Sequence, residues 1–255
     1  MYTNIFDTHA HYDHKLFNYI RHATLSSMPE FGVSLILNCG SNEESSEYSA
    51  TLAAEYDYIF STAGIHPHDS ARVTTNWQEN IRSLLMLDKT VAVGEIGLDY
   101  HYNYSDPATQ RKVFAKSLEI AVELNLPVVV HDRDAHEDIT AMLKEYRPDG
   151  VVHRFSGSID MMEQLEEIGM YFGFGCSIVY DNALTERNAV SSINVNRLLL
   201  ETDCPYLPPP TNKDELCRSD MILFAAETIS ELRPSYTTQE IIDIASENGK
   251  RLFSL

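Results

Sequence analysis

The stretch that decides the fold is Pro127-Val128-Val129-Val130-His131, a helical pattern from Asp138 to Tyr146, and then Gly150-Val151-Val152-His153. Each Val run is short, β-branched and almost wholly apolar, as expected of a strand buried on both faces. The intervening segment recurs at helical spacing. Strand, helix and strand in this order form a parallel β-α-β unit.

The same alternation extends in both directions. The strand candidates are 4–9, 33–38, 58–65, 90–95, 127–131, 150–153, 170–174 and 197–202. Residues 107–125 carry a one-sided stripe at Val113, Phe114, Leu118, Ala121 and Leu124, closed by Pro127. Met161 to Ile168 reads likewise as helical. Two more helices are expected at 218–232, ended by Pro234, and at 238–253, with Thr237 or Thr238 as N-cap. Eight strands, each followed by a helical or irregular connection, predict a TIM-type (β/α)8 barrel forming a single domain over 1–255. The competing arrangement, a doubly wound open sheet, lacks a Gly-rich phosphate-binding turn after the first strand. The Pro-rich patch Pro205 to Pro210 is expected to be a loop after the last strand.

The chain has 255 residues, is 44% hydrophobic and 22% charged, and carries a formal charge of −19. That charge argues against a broad basic surface, while leaving room for an anionic substrate held through bound cations. No apolar run reaches the roughly 18 residues of a membrane helix. The segment Met1 to Phe6 lacks the basic and apolar regions of a signal peptide, so the expectation is a cytoplasmic protein with no membrane partner and no obligate protein partner. Cys39, Cys176, Cys204 and Cys217 form no CxxC pair and are expected to be reduced thiols.

Chemistry is concentrated where strands end. Asp7-Thr8-His9-Ala10-His11 places two imidazoles two residues apart, so both can face one interior point; the alternative is a pair of exposed histidines. Glu95 follows the apolar run Val91-Ala92-Val93-Gly94, where a carboxylate is costly to bury without a cation or an arginine partner. His131, His153 and Asp203 close three further strands. Any one of these could be an ordinary hydrogen-bonded core group. Together, strands 1, 4, 5, 6 and 8 present a His or carboxylate at one height, the end of a barrel where enzymes carry their catalytic groups. Four imidazoles and two carboxylates suit a pair of first-row divalent ions better than calcium.

At these residues the chain resembles the TatD-related deoxyribonucleases of the metal-dependent amidohydrolase superfamily. The resemblance runs through Asp7 to His11, Gly64-Ile65-His66-Pro67-His68, Gly94-Glu95-Ile96-Gly97-Leu98-Asp99-Tyr100, Gln110-Arg111 with Phe114, Leu126 to His131, His153 to Ser158 and Leu200-Glu201-Thr202-Asp203. It implies that His9, His11 and Asp203 hold one divalent ion (Zn, Mn or Mg), that His131 and His153 hold a second, and that Glu95 bridges them. It further implies phosphodiester hydrolysis on DNA, by an exonuclease, with His66 meeting substrate phosphate. Asp203 is then the candidate acceptor of the attacking water's proton, with Glu95 beside it as the second catalytic residue.

The family pattern is broken in three places. Arg154 stands where a Cys is usual, Asp132 where a Ser is usual, and a basic loop after the last strand is replaced by Pro210-Thr211-Asn212-Lys213-Asp214-Glu215-Leu216. Arg133, Arg154 and Arg218 could supply compensating substrate contacts or form surface ion pairs. Two other activities are therefore carried forward: an amide, lactone or small-phosphoester hydrolase of the same superfamily, and a non-catalytic metal-binding barrel.

Overall fold

The computed structural model describes residues 2–255. Eight strands, β1 (Ile5–Ala10), β2 (Val33–Asn38), β3 (Ile59–Ala63), β4 (Thr90–Asp99), β5 (Val128–Arg133), β6 (Gly150–Val152), β7 (Tyr171–Phe174) and β8 (Leu198–Leu200), lie in sequence order. Every neighbouring pair is parallel. The first and last strands meet through a parallel bridge between Ala10 and Cys204, and His11 N–H donates to the Cys204 carbonyl at 2.8 Å. Thr8 Oγ1 adds a bond to the Leu200 carbonyl at 3.0 Å. The sheet thus closes on itself as the expected barrel.

Among the described residues nine helices surround it: α1 (Arg21–Ser27), α2 (Glu43–Glu55), α3 (Trp77–Leu85), α4 (Pro107–Leu124), α5 (His136–Tyr146), α6 (Ile159–Glu166), α7 (Leu184–Ser192), α8 (Ile222–Leu232) and α9 (Thr238–Phe253). The cap of α9 is Thr237, in a reciprocal box with Glu240. The helix expected at 218–232 begins as a short 3₁₀ turn at Ser219–Met221 before α8. Among the described residues no helix is long and apolar enough to cross a membrane.

Two apolar clusters divide the core. One joins the strands to the helices. The other takes Phe6, Leu37, Ala92, Val129, Val151, Tyr171 and Leu199 from seven strands, Phe60 from β3, and Leu252 with Phe253 from the end of α9. A cluster to which every strand contributes fills the barrel's interior.

Because side chains alternate along a strand, these interior residues fix which later positions face inward. Val129 leads to His131, Val151 to His153, and Leu199 to Glu201 and Asp203, all at even spacing. Phe6 to His9 and Ala92 to Glu95 are odd spacings, so β1 and β4 must each slip by one residue to aim those side chains inward. The ladder shows those slips, between Asp7 and Ala10 in β1 and between Val93 and Ile96 in β4. Such irregularities recur beside active sites because they redirect a side chain. Past the slip, β4 stays paired with β5 from Ile96 to Asp99, beyond the expected end at 95.

Candidate metal centre

The six polar residues expected at the strand ends converge. His9 and His11 meet with their Nε2 atoms 3.0 Å apart. Glu95 Oε2 lies 3.5 Å from His9 Nε2 and 3.4 Å from His11 Nε2. Its other oxygen, Oε1, lies 3.0 Å from His131 Nδ1 and 2.9 Å from His153 Nε2. Asp203 Oδ1 faces the first pair, 3.5 Å from His11 and 3.8 Å from His9. The His9 and His153 rings stack, centroids 3.9 Å apart, which joins the two halves. His9, Glu95, His153 and Asp203 are buried.

The contacts behind His11, His131 and His153 determine which nitrogen is free. His11 Nδ1 lies 2.9 Å from the Cys39 carbonyl and must donate to it, leaving the Nε2 lone pair facing the site. His131 Nε2 lies 3.3 Å from Asp99 Oδ2, which leaves Nδ1 as its free donor atom. His153 Nδ1 points towards Glu201 Oε1 at 3.5 Å. Carboxylates and carbonyls that hold the far nitrogen of a histidine are the usual support of a metal-ligating ring. Asp99, His68 (Nε2 2.8 Å from Asp99 Oδ2), Glu201 and Asp7 were not assigned such roles from sequence. Their signal was present, because Glu201 and Asp99 keep even spacing with Asp203 and Glu95. Asp7 accepts from Thr202 Oγ1 and Ser219 Oγ, both at 2.7 Å, and so ties β1 to the segment after β8. Gly173 makes room for the buried Glu201, since a Cβ there would lie 2.1 Å from Oε2. Gly97, at φ +141°, lets β4 pass His131, whose carbonyl would stand 2.0 Å from a Cβ.

His66 reaches the same floor, with Nε2 3.5 Å from Glu95 Oε1. Its Nδ1 accepts the His68 backbone N–H at 3.1 Å, so its single proton sits on Nε2. In the neutral tautomers these contacts set, this imidazole presents a donor where His11, His131 and His153 would present lone pairs. Burial also drives its pKa well below the ordinary value, against the pull of Glu95, and keeps it neutral.

Charge balance follows from the same contacts. Burial penalises the charged forms of His11, His131 and His153, but their carboxylate partners outweigh it. His11 is held well above its usual pKa by Asp203 and Glu95, His131 is raised by Asp99 and Glu95, and His153 is pushed up to about 10 by Glu95 and Glu201. Glu95 and Asp203, despite burial, are held below the carboxylate range by the imidazoles around them. Burial lowers His9 and raises Asp7 to about 7, in the latter case against its hydrogen bonds. Without a metal, protons on histidine neutralise the buried carboxylates. Three groups have ligand atoms close enough to share an ion: His9, His11 and Asp203; His9, Glu95 and His153; and His66, Glu95 and His131. A donor set of imidazole nitrogens and carboxylate oxygens, buried and mutually balanced in this way, fits divalent cations.

A cavity of about 470 Å³ opens above this floor, and Arg133, Arg154, Tyr102 and Tyr104 stand in its wall. Arg154 Nη1 donates to Asp203 Oδ2 at 3.1 Å, so the second oxygen of Asp203 is engaged by a guanidinium. Arg133 lies over the Tyr102 ring, 4.9 Å from its centroid. Arg218 is instead paired with Asp220 and Glu215 and does not line the cavity.

A closed parallel barrel with imidazoles and carboxylates gathered at the C-terminal ends of its strands is the architecture of metal-dependent hydrolases. The sequence profile of the TatD related DNases matches residues 6–254. The chain belongs to that family, and is a metal-dependent hydrolase. It is 34% identical to the uncharacterized metal-dependent hydrolase YabD of Bacillus subtilis, over 98% of this chain and 99% of that one. It is 35% identical to the 3'-5' ssDNA/RNA exonuclease TatD of Yersinia pseudotuberculosis, over 92% and 93%. The crystal structure of the TatD homologue YJJV from Escherichia coli K12 superposes with a TM-score of 0.93 over the whole of both chains, at 29% identity.

Proposed function

We propose that the protein is a phosphodiesterase that trims nucleic-acid ends with a pair of divalent ions. The observation that carries this reading is the position of Glu95, which turns Oε2 to His9 and His11 and Oε1 to His131 and His153. In this reading His9, His11 and Asp203 would hold one ion, His131 and His153 would hold the other, and Glu95 would serve both. Zinc, manganese or magnesium bound there would supply Lewis-acid activation of water and of the phosphoryl oxygens.

The remaining chemistry belongs to the chain. Asp203, kept ionised by its imidazole neighbours, accepts the proton of the attacking water; Arg154 on Oδ2 fixes the orientation of that carboxylate. His66, neutral with its proton on Nε2, donates to a non-bridging phosphoryl oxygen and does not ligate metal. Asp99 and Glu201 hold His131 and His153 in register. Arg133 and Arg154 are the two arginines of the cavity wall and contact phosphate there. With so few cations, the site is suited to a chain end or a short phosphoester and not to a long duplex. Four buried free cysteines support a reducing, cytoplasmic setting.

The test uses protein stripped with chelator and reloaded separately with Zn²⁺, Mn²⁺ or Mg²⁺, offered end-labelled single-stranded DNA and RNA beside lactone and amide substrates. Metal-dependent shortening from one end is expected. Turnover of a lactone or amide, with no phosphodiester cleaved under any metal, would assign the site to the other branch of the superfamily.

A further inference from the structure

The loop between β4 and α4 carries two large aromatic side chains that the fold does not bury. Tyr104 is 65% exposed and Tyr102 is 47% exposed, yet their rings lie nearly parallel, 5° apart, with centroids separated by 5.5 Å. They are not on a free-moving tip. Asp99 Oδ1 accepts the backbone N–H groups of His101 and Tyr102 at 3.0 and 2.9 Å, and buried Gln110 donates to the carbonyls of Asp99 and Ser105. Ser105 Oγ is tied to the His68 carbonyl at 3.1 Å. The His68 ring packs edge-on to Tyr104 at 4.8 Å, and Arg133 covers Tyr102. The same Asp99 steadies His131, so the loop and the metal centre share one anchor.

Both tyrosines line the cavity above Glu95. We propose that Tyr102 and Tyr104, with the Arg133 guanidinium, form a stacking platform for the nucleobase beside the scissile phosphate. This deepens the phosphodiesterase reading and rests on it. A chain of net charge −19 gains little from general attraction to phosphates. Stacking on an aromatic face requires no net positive charge, tolerates any base, and requires that the base be unpaired. The platform therefore holds the terminal nucleotide by its unpaired base and not by its phosphate.

The decisive experiment is a double-mutant cycle on the metal-loaded enzyme. Tyr102→Ala and Tyr104→Ala are each combined with an oligonucleotide whose terminal nucleotide carries either a base or an abasic tetrahydrofuran. On the normal end, each substitution is expected to raise KM roughly 10-fold or more, with kcat nearly unchanged. On the abasic end the wild type already shows that rise and the substitutions add little to it. Tyr102→Phe, which keeps the ring, restores the wild-type KM on the normal end, and unchanged melting temperatures exclude a folding effect. Equal loss on both ends, or no loss on either, overturns the platform while leaving the phosphodiesterase intact. Failure of the wild type to cleave any oligonucleotide overturns the phosphodiesterase reading, and the platform with it.

Discussion

The floor of the site and its rim are built by different means. On the floor, His9, Glu95, His131, His153 and Asp203 sit on or just beyond strands, and His131 and His153 are backed by Asp99 and Glu201. At the rim, Tyr102, Tyr104, Arg133 and Arg154 are set by loops and strand termini and are partly or largely exposed. The floor determines what chemistry the protein can perform, and the rim determines what it performs it on. Change at the rim costs little folding energy, so substitutions there can alter what is bound while leaving the floor intact.

The sharpest way to break this contrast is to alter one floor carboxylate without changing its shape. Asp203→Asn is expected to lower kcat on an oligonucleotide about 10³-fold, the scale of losing a positioned proton acceptor. Unchanged kcat at saturating metal would remove Asp203 from the reaction. His66 sits on the boundary and can sharpen it. His66→Ala is expected to cost about 10²-fold in kcat/KM, the scale of one transition-state donor, while metal content stays as in the wild type. If an ion is lost with that side chain, His66 belongs with the ligands despite the proton on its Nε2.

A further expected effect concerns pH. An ion can bind His153 only after displacing the proton that this ring holds up to about pH 10 in the metal-free protein. Metal affinity must therefore fall as pH is lowered, about tenfold per unit for each proton displaced. Titration of stripped protein with Zn²⁺ between about pH 6.5 and 8.5, in buffers of different ionisation enthalpy, reads both the slope and the released protons. Rim variants such as Tyr102→Ala should share the wild-type slope. A pH-independent affinity would mean that His153 is not a ligand.

Much of the floor is legible in the sequence because a buried parallel strand leaves a nearly continuous apolar run, and a polar residue closing such a run stands out. Val128 to Val130 before His131 is the plainest case. Four helices left weaker traces. Helix α2 buries Ser46 and Ser49 beside Leu52 and Ala53, so its inner face is half polar and its apolar stripe is thin. Helix α7 buries only Ala189 and Val190 along its whole length, and α1 is a bare two turns. Helix α3 does carry Trp77, Ile81 and Leu85 at four-residue spacing, a pattern legible in principle but short. At the rim Arg133 and Arg154 could be named from the sequence, but pairing Tyr102 with Tyr104, or Arg154 with Asp203, depends on loop paths that no periodicity encodes.

Metal content of the purified protein, measured by plasma mass spectrometry for the wild type and Glu95→Gln, addresses the shared carboxylate directly. The wild type is expected to retain two divalent ions per chain through gel filtration, and the Gln variant one or fewer. A wild type that holds no divalent ion, or a Glu95→Gln protein that still holds two, would contradict the account.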